Sequence, residues 1–302
     1  MNTIERFLEY IAIERKYSNR TVEAYRDDLR DFCHSVGWEP ADFDPKEVSE
    51  EDIKSWMIAL LDEGKSPRSI KRYLSSMRSF YKFMLRTGVV TKDITRKVIA
   101  PKVDKPLPVF FKESEMQQAI AYEAQADDFE SIRNCLIIEM LYQTGARQAE
   151  ILGLTDSDID LVQGQVRIFG KRKKERIVPI GESLVNQIKD YLAVRKEFEP
   201  TQSFFIRVKR NGTVEPMNKS TLYNIVRARM GEVSTLKKHS PHVLRHTFAT
   251  TMLNNGADIR TIQSLMGHAS LAATQVYTHT TFEQVRKAYN AAHPRAKKDS
   301  KN

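Results

Sequence analysis

Apolar residues recur at intervals of three and four through TIERFLEYIAIERK, near the start of the chain. That is the spacing of one buried helical face. The same period returns three more times in the first hundred residues. It predicts helices from about Thr3 to Lys16, from YSNRT to near Gly37, from Ser49 to Gly64 and from Ser66 to Gly88. Ser49 with Asp52 three residues later has the form of a capping box, and the glycines at 64 and 88 can supply left-handed caps. Four helices on short connections predict a compact bundle. In the fourth, Ile70, Leu74, Met77, Tyr81 and Met84 form the inward stripe. Arg68, Lys71, Arg72, Arg78 and Lys82 line up outside it at spacings of three, four and seven.

This regularity stops at APKVDKPLPVFF, residues 100–111, where three prolines and no helical period predict a stiff, extended linker. Beyond it the period returns in KESEMQQAIAYEAQ and ESIRNCLIIEMLYQTG. Two alternating runs follow, GQVRIFG and ERIVPI, separated by the basic turn KRKK, and together they predict a β-hairpin. A helix over ESLVNQIKDYLAVRKEF, a short run SFFIR and further helices complete the pattern. The expected fold is mainly α with a small β-sheet. It comprises an N-terminal four-helix bundle over residues 1–99, a linker over 100–111 and a C-terminal α/β domain over 112–302.

Charge adds a partner to this picture. The 302 residues carry 48 basic and 39 acidic side chains, a formal +9. Residues 1–100 hold 18 basic and 17 acidic, so the excess lies almost wholly in the second part. Such an excess suits a polyanion, nucleic acid before membrane. Glutamates inside the first helix argue against a signal peptide, and no stretch approaches the ~18 apolar residues of a membrane span, so no membrane insertion is expected. Cys33 and Cys135 occupy apolar helical positions without a CxxC pattern. Neither a disulfide framework nor a metal site is expected, and the cytoplasm is the expected compartment.

Candidate chemistry collects in four stretches of the second part. In TGARQAEILGL, Arg147 follows a glycine at the end of an apolar helix, so it sits at a break and can reach a cleft, although pairing with Glu150 is its ordinary use. GKRKKER is a basic hairpin tip, a place where charge is usually just solvated. In SPHVLRHTFAT, Ser240 and Pro241 start a helix, which puts His242 and Arg245 on one face and His246 on a neighbouring one. Last, GHASLAATQVYTH sets His268 after a helix-ending glycine and Tyr277 nine residues on. A tyrosine there is ordinarily core.

Taken together and in this order, TGARQAEI, GKRKKERIVPI, HVLRHTFAT and LMGHASLAATQVYTH resemble the tyrosine recombinase (phage integrase) family. The likeness covers nearly the whole chain. Within the family it is most similar to the Xer chromosome-dimer-resolving recombinases, through the two-domain length and the ending AAHPRA at residues 291–296. Two departures stand out. Ala146 precedes the first arginine where the family often has a bulky aliphatic residue, and Arg172 follows the hairpin lysine where it often has glycine.

The resemblance implies a SAM-like core-binding domain followed by a catalytic domain. It implies cleavage and rejoining of double-stranded DNA at a specific recombination site, with chromosome dimer resolution as the role. Tyr277 is the implied nucleophile, forming a 3′-phosphotyrosine link and freeing a 5′-hydroxyl. Arg147 and Arg245 would fork onto the phosphate, His268 would hydrogen-bond it, and His242 would handle the nucleophile's proton. Lys171 would protonate the leaving 5′-oxygen, with Lys173 and Lys174 as alternatives after Arg172, and Glu150 would support the site. Arg68, Lys71, Arg72, Arg78 and Lys82 would approach the major groove. A homo- or hetero-tetramer on two DNA sites is implied, with a C-terminal segment docking on a neighbour and a septal DNA translocase as a further partner. The chemistry calls for no cofactor, neither ATP nor metal: the chain has no GxxxxGK[ST] loop and no carboxylate cluster for magnesium. Two other functions compete, an integrase or invertase of a mobile element and a non-catalytic DNA-binding protein on the same fold.

Overall fold

The structure, a computed structural model, describes residues 2–103, 109–121, 128–170, 174–267 and 279–296, with side chains from 282 in the last segment. Contacts divide the chain into two units, Met1–Pro106 and Leu107–Asn302, each with its own apolar core. Residues 104–108 of the proline-rich stretch lie outside the described residues.

The first unit holds α1 (Thr3–Ile13), α2 (Asn19–Ser35), α3 (Glu50–Asp62) and α4 (Pro67–Arg86). Each opens on a short polar residue whose side chain accepts from the first turn: Asn2, Ser18, Ser49 and Ser66. Ser49 and Asp52 make the reciprocal capping box. These caps satisfy amide donors that an α-helix cannot satisfy internally. The first helix ends a turn earlier than its pattern suggests. Lys16 takes φ 50° and Tyr17 N donates to Ile11 O, which folds the chain back at once. Ile70, Leu74, Met77, Tyr81 and Met84 are all buried, in a core with Phe7, Phe32, Ile53 and Phe80. Each such side chain contributes about 2 kcal/mol through burial.

The second unit is built round α6 (Phe129–Thr144), which is buried on nearly every side. It packs against α5 (Glu113–Ile120), α7 (Gln148–Leu152), α8 (Glu182–Arg195), α9 (Lys219–Val233) and α10 (Pro241–Asn254). A three-stranded antiparallel sheet runs in the order β1 (Ile159–Asp160), β2 (Gln165–Phe169), β3 (Glu175–Pro179), with Arg167 opposite Ile177. A second hairpin, β4 (Ile206–Val208) with β5 (Val214–Pro216), lies where the pattern showed only one short apolar run. The chain then forms α11 (Ile259–Met266) and α12 (His279–Ala292). Among the described residues no helix is long and apolar enough to cross a membrane.

The segment AAHPRA is seated on its own unit. His293 is fully buried, stacks on Tyr289 and lies 3.3 Å from Tyr142 O; burial pushes its pKa down to about 3. Arg295 meets the fully buried Glu139 carboxylate at 3.0 Å. Within the single chain, residues 282–296 pack on their own unit, where the buried anion on α6 draws Arg295 because it needs a cation close by.

Candidate functional site

Two left-handed glycine caps prepare the site. Gly145 (φ 58°) ends α6 and Gly267 (φ 63°) ends α11. Only glycine fits at Gly145, because a Cβ there would lie 2.4 Å from the Phe248 ring. Arg245, on α10 and nearly buried, bridges these two helix ends. Its Nη1 donates to Gly145 O at 2.5 Å and its Nη2 to Met266 O at 2.6 Å. Helix C-termini carry partial negative charge, so they hold a guanidinium without neutralising it. Burial, followed by the charge of Arg147, pushes the Arg245 pKa down to about 10, and the group stays charged at neutral pH.

Arg147 leaves the Gly145 break as the N-cap residue of α7, two-fifths exposed. Its Nη1 meets Glu150 Oε1 at 2.8 Å, and its own N–H donates to Glu150 Oε2 at 2.9 Å. Glu150 is buried and has a second partner, Arg176 Nη2, at 2.7 Å. Burial alone would push the Glu150 carboxyl up. The hydrogen bond and charge of Arg176, helped by Arg147, win, and its pKa falls below the ordinary value.

Arg176 is a residue the sequence reading passed over. It sits on β3 and is buried beside Val178 on the same face. Its Nε donates to Leu265 O at 2.6 Å, so the last turn of α11 holds two arginines on adjacent carbonyls. Strand alternation carries the signal that could have found it, since a cation at an inward position is rarely idle. His246 is the second addition. It was expected on a neighbouring face, yet it lines one cavity of about 380 Å³ with His242, Arg245, Gln263 and Met266. Its spacing of four from His242 explains this. Burial, then the charges of His246 and Arg245, lower the His242 pKa, so its ring is neutral at pH 7.

The structure therefore brings Arg147, Glu150, His242 and Arg245 together around one site. Three guanidinium groups (Arg147, Arg176 and Arg245) face a single carboxylate there, so two positive charges remain uncompensated among the described residues. Lys171, His268 and Tyr277 lie outside the described residues. The described residues just before the first two, Gly170 and Gly267, do reach this site. A Cβ at Gly170 would lie 3.7 Å from Glu150 Oε1, and one at Gly267 would lie 3.1 Å from Arg176 Nη1. In the first unit, Arg68, Lys71, Arg72, Arg78 and Lys82 are all exposed along α4. Arg72 is paired with Asp28, and Arg78 donates to Val98 O at 2.8 Å.

An all-helical first unit and a second unit carrying a cationic Arg–Glu–His–Arg pocket at two helix ends define a tyrosine recombinase. Residues 110–284 match the phage integrase family and residues 4–88 its N-terminal SAM-like domain, and the chain belongs to that family. It is a site-specific recombinase of the Xer type. It is 37% identical to the tyrosine recombinase XerC of Chlorobaculum parvum, over 97% of this chain and 94% of that protein. It is 33% identical to the XerD of Oceanobacillus iheyensis, over 97% and 98%. The fold is also that of a lambda integrase tetramer bound to a Holliday junction, with a TM-score of 0.64 at 19% identity, over 91% of this chain and 79% of that one.

Proposed function

We propose that this chain breaks and rejoins duplex DNA at a specific site through a covalent tyrosine link, and that its role is to resolve chromosome dimers in the cytoplasm before division. The Tyr277 hydroxyl attacks a backbone phosphorus. A phosphorus–oxygen bond forms to the tyrosine and the bond to the 5′-oxygen breaks. The tyrosine's proton passes toward His242, whose neutral ring can accept it, and the 5′-oxygen takes a proton from Lys171. Attack by a 5′-hydroxyl of another strand reverses these steps, and the ester conserves the bond energy, so no nucleotide is consumed. Arg147 and Arg245, with His268, hold the phosphate oxygens as charge builds on them. Glu150 orients Arg147. The N-terminal unit, residues 1–99, grips the duplex through α4. Four protomers on two sites complete the assembly, and a septal translocase brings the sites together.

One observation carries this reading: among the described residues Arg245 is anchored by backbone carbonyls alone, which fixes its fork while leaving its charge for a phosphate. Extensive identity to XerC and XerD proteins supports the chromosomal role. The test is a duplex nicked near the crossover point and carrying the site this protein selects. Wild type should become covalently attached to it. Tyr277→Phe should form no adduct yet still bind. An adduct mapped to Tyr142 or Tyr289 overturns the assignment. Both are buried, and burial raises the Tyr142 pKa to about 12.

A further inference from the structure

The first unit buries an ion pair, a weak source of stability for a fold. Asp28, on α2, is 2% exposed, on a helix that also buries Val22, Leu29, Phe32 and Cys33. Arg72 Nη1 lies 2.5 Å from both of its carboxylate oxygens, and Ser76 Oγ donates to Oδ2 at 2.5 Å. A buried ion pair is a weak stabiliser, since desolvation offsets most of its attraction, and apolar side chains of the same size often serve a core better. What such a pair does supply is orientation. Arg72 is held on a second side as well, its guanidinium carbon 4.3 Å from the centre of the Tyr73 ring. Tyr73 in turn packs on Trp56. Yet the Arg72 side chain is 45% exposed. One nitrogen takes both carboxylate oxygens, which leaves Nε and Nη2 outside the ion pair. The small, exposed Ser75 lies one turn further along the same face, between Arg72 and Arg78.

We infer that Arg72 is a specificity-determining residue that reads a guanine edge in the major groove, and that Asp28 is the positioning residue that aims it. This rests on the reading that α4 lies against DNA. A freely moving arginine or lysine on a helix face finds phosphates, and it adds salt-dependent affinity of the same size for every sequence. An arginine whose charge is matched by a buried carboxylate adds little of that. Its fixed fork instead fits the two acceptors, O6 and N7, that guanine alone presents side by side. Lys71 and Lys82, flexible and exposed on the same row, are the residues suited to phosphates.

The test uses the full chain and a duplex that wild type selects from a randomised library, together with versions in which each guanine is replaced in turn by adenine. For wild type, one guanine replacement should weaken binding about 10- to 100-fold. Arg72→Lys keeps the ion pair and the charge but loses the fork. It should bind the guanine and adenine versions within about threefold of each other, with an unchanged thermal midpoint and salt slope. Asp28→Asn should likewise lose discrimination, while its salt slope steepens as the freed guanidinium finds phosphate. Lys71→Ala should reduce the salt slope by about one and leave discrimination intact. If Arg72→Lys still discriminates like wild type, Arg72 serves only the fold and the inference fails. If Lys71→Ala leaves the salt slope unchanged, α4 is not on DNA, and the reading beneath the inference fails with it.

Discussion

Arg72 in the first unit and Arg245 in the second are both fixed by the fold, but by opposite kinds of acceptor. Arg72 rests on a buried carboxylate; Arg245 rests on two neutral carbonyl oxygens at the ends of α6 and α11. A carboxylate cancels the charge and keeps the geometry. Carbonyls keep both, at a cost in desolvation that shows as the lowered Arg245 pKa. The contrast fits the two tasks proposed for them. A transition state with charge spreading over phosphate oxygens calls for uncancelled positive charge held still, whereas reading a base edge calls for direction. Within the second unit Arg176 repeats the first pattern, with Glu150 in the place of Asp28.

The sharpest way to break this comparison is Arg245→Lys. An ammonium cannot span two carbonyls and a phosphate together. Adduct formation on the nicked duplex should fall roughly 1,000-fold while the thermal midpoint changes little. A loss below tenfold would mean that the double anchor does not prepare the charge.

Glu150→Gln comes next. It strands Arg176 in the core and releases Arg147, and urea unfolding at neutral pH should show a loss of about 3 kcal/mol. The pH dependence follows from the lowered Glu150 pKa. A carboxyl with a depressed folded-state pKa contributes stability that is present above the unfolded value, about 4.5, and lost as pH falls through the folded one. Wild type should therefore lose stability on the acid side of 4.5 more steeply than Glu150→Gln. Equal slopes would show that Glu150 is not the anion holding the two arginines.

The smallest effect expected is that of His242→Gln. His242 lines the cavity, and its lowered pKa favours the neutral ring. Cleavage by wild type should hold steady down to the ordinary histidine value of about 6.5 and fall only below it. His242→Gln should lower the plateau by about 100-fold and remove that acid limb. A limb that survives the substitution points to His246 as the proton acceptor instead.

Much of this was legible in order along the chain. The four helices of the first unit announce themselves through period and caps, because Ser49 with Asp52 and Ser66 with Pro67 are local chemistry that needs no tertiary partner. The β2–β3 hairpin likewise follows from alternation. Arg147 and Arg245 stood out because each adjoins a helix boundary, marked by Gly145 in one case and by Ser240–Pro241 in the other. Arg176 did not stand out: in ERIVPI it reads as one more residue of a basic hairpin, and its burial appears only when β3 lies against the end of α11. The second hairpin, β4–β5, was missed for a similar reason, since strands of three residues carry too little pattern to show a period.

The sequence by itself determined which residue types are present and which local elements carry them, since caps, periods and glycine breaks act over a few neighbours. Only the tertiary structure decided what each charge is for. Asp28 and Arg72 are 44 residues apart, and Arg245 and Gly145 are 100 apart. Whether an arginine meets a carboxylate or a carbonyl at such separations is set by how helices pack, and that choice determines whether its charge is spent within the protein or kept for a ligand.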